Sequence, residues 1–224
     1  MWIAESPSTR DTRLIWYRLK TRGVKRLLTG SHYDEDFYAE HIKLKPAYQE
    51  LADLIFARFH PESVYDFGCG NGFLLQFLAE RGVAVAGFEG SEASLNFIDS
   101  SLREKVLIRD LSQAIDTKIR DLVISTEVAE HLPKKAAPVL VRNLTSSASR
   151  TIVFSAAKPG QWGDGHINCQ PKEFWIKLFA LCGWNYDRTT TNDFTSDMKR
   201  SSEISTKLPW LVDNFMLFVP GKLI

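Results

Sequence analysis

The residues of this chain that could do chemistry fall into two groups. The first is Asp66 with Gly68, Gly70 and Gly72, in the stretch Val64-Tyr65-Asp66-Phe67-Gly68-Cys69-Gly70-Asn71-Gly72-Phe73-Leu74-Leu75. Glycines at every second position let a ligand lie against bare backbone, and amides opening a following helix add donors and partial positive charge. A dinucleotide fingerprint places its third glycine three residues after the second; that position is Phe73, and the third glycine comes early. Asp66 precedes the first glycine by two residues, so it is a carboxylate at the end of a strand. It is ill-suited to a pyrophosphate and well suited to a cationic ligand. Glu89, followed by Gly90 and Ser91, lies about 20 residues beyond the turn, where a carboxylate accepts the two hydroxyls of a ribose.

The second group is Glu127, Glu130 and His131, with His166 farther on. Read as one helical turn, the first three lie at i, i+3 and i+4 and share a face. His166 belongs to a long glycine-rich loop, 156–170. A loop of that length with no structure of its own is usually functional. Ligands of open α/β sheets bind outside the carboxyl ends of the strands, so His131 and His166 are expected to face one pocket. Three uses compete. A histidine, with an ordinary pKa of about 6.5, can serve as general base near neutral pH. The four residues together also offer the oxygen and nitrogen donors of a divalent-metal site, and the histidines can equally be structural.

Elements that would position these residues are legible around them. Helical spacing of Leu51, Leu54, Ile55 and Phe59 predicts a helix over 44–59, ending before Pro61. A strand, the glycine turn and a helix from Phe73 to the stop at Arg81-Gly82 follow. Val83–Phe88 reads as a buried parallel strand, Ser94–Leu102 as a helix and Val106–Ile108 as a third strand. Asp121–Thr126 is a fourth strand, 134–146 a helix and Thr151–Ser155 a fifth strand. Beyond the loop come a helix over 171–182, with Phe174, Trp175, Leu178, Phe179 and Cys182 as its buried stripe, and strands over 184–188 and 215–219. Thr189–Leu208 is polar and poorly patterned and reads as a variable surface segment or a pocket-shaping insertion. Alternating strands and helices indicate a doubly wound, mostly parallel sheet with helices on both faces.

A ligand with a ribose and a cationic end points to S-adenosylmethionine, with its sulfonium and ammonium. The glycine stretch resembles the first motif of the class I S-adenosylmethionine-dependent methyltransferases, small-molecule type, and Thr126-Glu127-Val128-Ala129-Glu130-His131-Leu132-Pro133 resembles their fourth. The resemblance covers about residues 44–224 in fold, with specific motifs in 64–75, 83–91, 106–111 and 121–133. It implies a Rossmann-like sheet of seven strands whose last two form an antiparallel hairpin. By the same resemblance Asp110 meets the adenine amino group, Leu111 lies against the ring, and Thr126 and Glu127 flank the methionine part. It implies a methyl transfer to a small or medium organic acceptor. Oxygen is favoured because it gains more from a base than an already neutral amine does. The cofactor-binding set is therefore Asp66, Gly68, Gly70, Glu89, Gly90, Asp110, Leu111 and Thr126; the catalytic set is His131, His166 and Glu127, with no metal assigned. A nucleic-acid methyltransferase and a cofactor-binding module without turnover stay open as other readings.

Residues 1–43 stand outside the alternating pattern and are expected to form an N-terminal extension to a 44–224 domain. Arg10, Arg13, Arg18, Lys20, Arg22, Lys25 and Arg26 are interleaved with apolar residues there, either a surface for an acidic partner or a solvated helical face. Tyr33, Tyr38 and His41 lie in an acidic and aromatic stretch that resembles the tyrosine-rich segment covering the cofactor in small-molecule members of the family; the resemblance implies a lid, and ordinary aromatic packing explains the stretch equally well. The formal net charge of +1 over 224 residues argues against a globally basic nucleic-acid binder. Three scattered cysteines do not make a disulfide framework, and no apolar run has the length of a membrane span. With no evident signal peptide, the expectation is a cytoplasmic protein.

Overall fold

Val64, Tyr65, Asp66 and Phe67 are all buried, so strand β1 (Ser63–Phe67) is covered on both faces, as central parallel strands are. A computed structural model describes residues 33–221. The basic run of 10–26 therefore lies outside the described residues. Around β1 are β2 (Ala84–Glu89), β3 (Val106–Ile108), β4 (Arg120–Thr126), β5 (Ala148–Ser155), β6 (Trp184–Tyr186) and β7 (Met216–Pro220). They form one seven-stranded open sheet in the order β3-β2-β1-β4-β5-β7-β6. The first five are parallel, and β7 runs antiparallel between β5 and β6.

The order reverses beside β1. Everything the carboxyl ends of β1, β2 and β4 carry is thus delivered to one edge, the switch point where ligands of such sheets bind. One face is covered by α2 (Lys45–Phe59) and α3 (Phe73–Glu80), with Leu51, Ile55, Leu75 and Leu78 in its core. The other is covered by α4 (Ala137–Ser147) and α5 (Lys172–Leu181), around Leu140, Phe154, Trp175 and Phe179. A short helix α1 (Glu35–His41), capped by Asp34, precedes them and places Tyr38 in the interior.

Two segments depart from the periodicity reading. The helix expected over 94–102 is a 3-10 segment, Glu92–Asn96, followed by turns. Asp99 accepts from the amide and hydroxyl of Ser101, so its side chain competes with the helical ladder. The poorly patterned 189–208 stretch lies almost wholly in helices: α6 (Arg188–Arg200) and α7 (Ser202–Lys207), with α8 (Pro209–Asn214) after them. Only Thr191, Phe194 and Met198 of α6 are buried, too sparse a stripe to stand out among polar residues. Phe194 stacks on Phe215 at 4.9 Å and on Phe59 at 5.8 Å, and so ties α6 to α2 and to the start of β7. Phe194→Ala is expected to lower stability by about 3 kcal/mol through the cavity left behind. Urea unfolding checks this; a loss under about 1 kcal/mol would mean that α6 is surface covering only.

Candidate active site

Gly68, at φ +83°, turns the chain out of β1. A Cβ there would meet Val128 Cγ2 at 2.3 Å, so the glycine turn and the β4 loop are packed through this residue. The turn is held at its other side by Glu89. Its carboxylate accepts from the amides of Gly70 (2.8 Å), Gly90 (2.7 Å) and Ser91 (3.2 Å), and from the Tyr38 hydroxyl (3.3 Å). Strand ends β1 and β2 are thus joined by a carboxyl group fixed by backbone donors, and α1 rests on it. Asn71 donates to the Tyr38 carbonyl at 2.9 Å, and Ser91 to that of Tyr33 at 2.8 Å.

A cleft of about 70 Å³ opens here, lined by Asp66, Gly68, Gly70 and Thr126 with Phe37, Tyr38, His41 and Tyr48 among others. Asp66 is 3% exposed, and its Oδ1 has no hydrogen-bond partner among the described residues. Burial, and next the charge of Glu89, push its carboxyl up from 3.8 to about 8. The expected lid residues Tyr38 and His41 do line the cleft, whereas Tyr33 packs edge-on against His131 at 5.5 Å. Phe37, Tyr48, Asn71 and Phe73 carried no signal as lining residues in the sequence. Asp110 is exposed, accepts from the Ser112 amide at 2.9 Å, and with buried Leu111 stands outside the lining of this cleft. The pair is nonetheless close by, since the neighbouring Arg109 amide donates to the Glu89 carbonyl at 2.8 Å.

The second group is not one helical turn. Glu127 has a left-handed backbone, φ +55°, and only Ala129–His131 are helical, as a 3-10 turn. A non-glycine residue at positive φ costs on the order of 1 kcal/mol and tends to mark a functional site. Glu127 is held by Asn214 Nδ2 at 3.1 and 3.3 Å, and Asn214 also donates to Gln161 Oε1 at 2.9 Å. Glu130, fully buried, turns toward His131 and His166. The long loop is pinned there: the amides of Ile167 and Asn168 both donate to the Glu130 carbonyl at 2.9 Å, and Asn168 Nδ2 to that of Ala129 at 3.1 Å. His131 and His166 meet, ring centroids 4.9 Å apart, outside the lining of the cleft at the glycine turn. Burial, with the charge of Glu127 second, raises the Glu130 carboxyl well above the usual range.

Residues 38–159 match the family model of a methyltransferase domain. The chain belongs to that family. This methyltransferase domain is 28% identical over 156 residues to the ubiquinone biosynthesis O-methyltransferase of Hahella chejuensis, covering 66% of this chain and 60% of that one. It is 30% identical over 160 residues to the enzyme of that name from Stutzerimonas stutzeri, covering 68% and 63%. The chain thus spans about 60% of the length of the curated relatives it matches. In fold the domain is similar to DesVI of Streptomyces venezuelae, with a TM-score of 0.59 at 14% identity, covering 80% of this chain and 92% of that one. It is also similar to the O-methyltransferase of a Brevibacillus brevis trans-AT PKS in complex with S-adenosyl-L-homocysteine: TM-score 0.55, 18% identity, covering 79% and 73%. The open, mostly parallel sheet read from the sequence is the sheet observed. Among the described residues no helix is long and apolar enough to cross a membrane.

The buried Asp66 gives a direct check on the site. An acid whose carboxyl titrates near 3.8 unfolded and near 8 folded destabilises the fold progressively as pH rises between those values. Asp66→Asn removes that cost. The variant's advantage in thermal midpoint over the ligand-free parent is therefore expected to be larger at pH 8.5 than at pH 5.5. An advantage that shrinks with rising pH would contradict the burial of an unpaired carboxyl.

Proposed function

We propose that this methyltransferase domain binds S-adenosylmethionine in the cleft at the ends of β1, β2 and β4 and methylates a small or medium organic acceptor, at oxygen. The observation that carries the reading is the orphaned, buried carboxylate of Asp66 beside a glycine turn. A donor-rich, cationic ligand part satisfies it, and an anionic one does not. The ammonium end of the ligand is therefore assigned to Asp66 and the ribose to Glu89, whose carboxylate is already oriented by three amides. Gly70 presents an open face, since a Cβ there would meet nothing within 4 Å. Thr126 borders the methionine part; Gly90, Asp110 and Leu111 are the adenine-side residues. Tyr38 and His41, on α1, cover the cleft as a lid.

When bound, the cofactor supplies an activated methyl group: its carbon–sulfur bond breaks as the carbon–oxygen bond forms, the electron pair leaves on sulfur, and the acceptor gives up a proton. The protein's part is alignment, exclusion of water and handling of that proton. Glu127, His131 and His166 lie next to Thr126 or on the loop pinned beside it, on the acceptor side. The curated relatives named above are O-methyltransferases, which supports oxygen as the accepting atom.

Calorimetric titration with S-adenosylmethionine tests the cofactor, and release of S-adenosylhomocysteine across hydroxylated and amine acceptors tests the reaction. Saturable binding is expected, weakened at least tenfold, about 1.4 kcal/mol, by Glu89→Ala, with turnover on a hydroxylated acceptor. Absence of binding, or binding of NADH in its place, would overturn the assignment; binding without turnover on any acceptor would leave a cofactor-binding module.

A further inference from the structure

Three consecutive residues at the junction of α8 and β7 fasten the long loop to the carboxyl edge of the sheet. Asp213 pairs with Lys158 at 3.2 Å, and the Phe215 carbonyl accepts from Lys172 Nζ at 3.1 Å, near the two ends of the loop. Asn214 reaches between them. Its Nδ2 carries two hydrogens, and both are used: one on the Glu127 carboxylate, at 3.1 and 3.3 Å, the other on Gln161 Oε1, at 2.9 Å. Gln161 Nε2 in turn reaches Glu127 at 3.5 Å, so side chains from three separate segments close a ring. Glu127 also shares a side-chain hydrogen bond with the buried Glu130 carboxyl. The acid that follows β4 is thus aimed by a residue 87 positions away in the chain.

Asn214 makes these contacts from an unfavourable place. It is 1% exposed, and its Oδ1 has no hydrogen-bond partner among the described residues. A buried amide oxygen left unpaired is destabilising. Its chain neighbours Leu211, Val212 and Phe215 all belong to the apolar core, where an apolar side chain of similar volume would pack without that penalty. Stability alone therefore does not account for an asparagine here; what the residue contributes is its Nδ2. We propose that Asn214 is a positioning residue for methyl transfer: it holds Glu127 and Gln161 in one arrangement and so fixes the acceptor side of the site. The role rests on the methyl-transfer reading, which puts Glu127 on that side. A carboxylate already held in one geometry has less freedom to lose on reaching the reacting arrangement, so the effect of Asn214 belongs to turnover and not to cofactor binding.

The test measures kcat, acceptor KM, S-adenosylmethionine affinity and thermal midpoint for the full chain and its variants. Asn214→Leu removes the donor and the orphaned oxygen together; Asn214→Asp keeps the shape and presents only acceptors to Glu127. Both are expected to lower kcat at least about tenfold while cofactor affinity stays within about twofold of the parent, and Asn214→Leu is expected to keep or raise the thermal midpoint. Combining Glu127→Gln with Asn214→Leu should be no slower than Glu127→Gln alone, because a residue that acts through another is not additive with it. Lys158→Ala, which releases only an exposed ion pair, should leave kcat within about twofold. Full turnover in both Asn214 variants, or additive losses in the combined chain, would overturn the proposal. So would an equal loss in Lys158→Ala, which would make attachment of the loop the cause, or a fall in kcat matched by falls in thermal midpoint and cofactor affinity, which would make Asn214 structural. A parent chain that binds the cofactor and turns over no acceptor removes the methyl-transfer reading and this role with it; an active parent with active Asn214 variants removes only the role.

Discussion

Negative charge without donors, concentrated at the carboxyl edge of the sheet, is the constraint on which the rest of this structure depends. Asp66 ends β1 with an unpartnered oxygen, and the fully buried Glu130 follows β4 with the charge of Glu127 beside it. An ionised carboxylate away from water and without partners is so costly that it stays neutral or awaits a cation. Glu89, between them in function, shows what satisfaction looks like: three amides and a tyrosine hydroxyl surround it. The contrast sets a carboxylate satisfied by backbone amides beside a buried one, Asp66, that lacks a partner for Oδ1.

The fold creates this edge by topology and holds it by a few local contacts. Parallel strands deliver all their carboxyl ends to one side, and the reversal beside β1 leaves the crevice there. Gly68 packed on Val128 ties the glycine turn to the β4 loop, and the Glu130 carbonyl ties that loop to the segment bearing His166. Tyr33 and Tyr38 extend the same linkage to the N-terminal helix. Charges on Glu89 and Glu130 both reach the Tyr33 hydroxyl and raise its pKa behind the dominant effect of burial, so this ring lies between the two halves of the site.

Much of this was legible in the sequence because it is encoded locally. Three glycines after a buried run, and acids at the ends of successive strands, can be read from residue type and spacing alone. So could the sheet, from the alternation of apolar runs. What could not be read depends on contacts distant in sequence. Glu127 adopts a left-handed backbone because Ser155 and Asn214 hold it, and Asn214 is 87 residues away. That single dihedral takes Glu127 out of the short helical turn Ala129–His131, although its charge still reaches Glu130. Helix α6 escaped notice because tertiary packing of Phe194, not a clean apolar stripe, stabilises it. The expected 94–102 helix failed for the opposite reason: Asp99 and Ser101 bond locally, and no periodicity reveals that competition.

The proposed function stands or falls with recognition of the S-adenosylmethionine ammonium by the Asp66 carboxylate. The most direct measurement compares the affinities of S-adenosylmethionine and 5′-methylthioadenosine, which lacks the amino-acid end, for the parent chain and for Asp66→Asn. The substitution is expected to weaken S-adenosylmethionine binding at least tenfold, about 1.4 kcal/mol, and to leave 5′-methylthioadenosine nearly unchanged. Equal weakening of both ligands, or of neither, would contradict it.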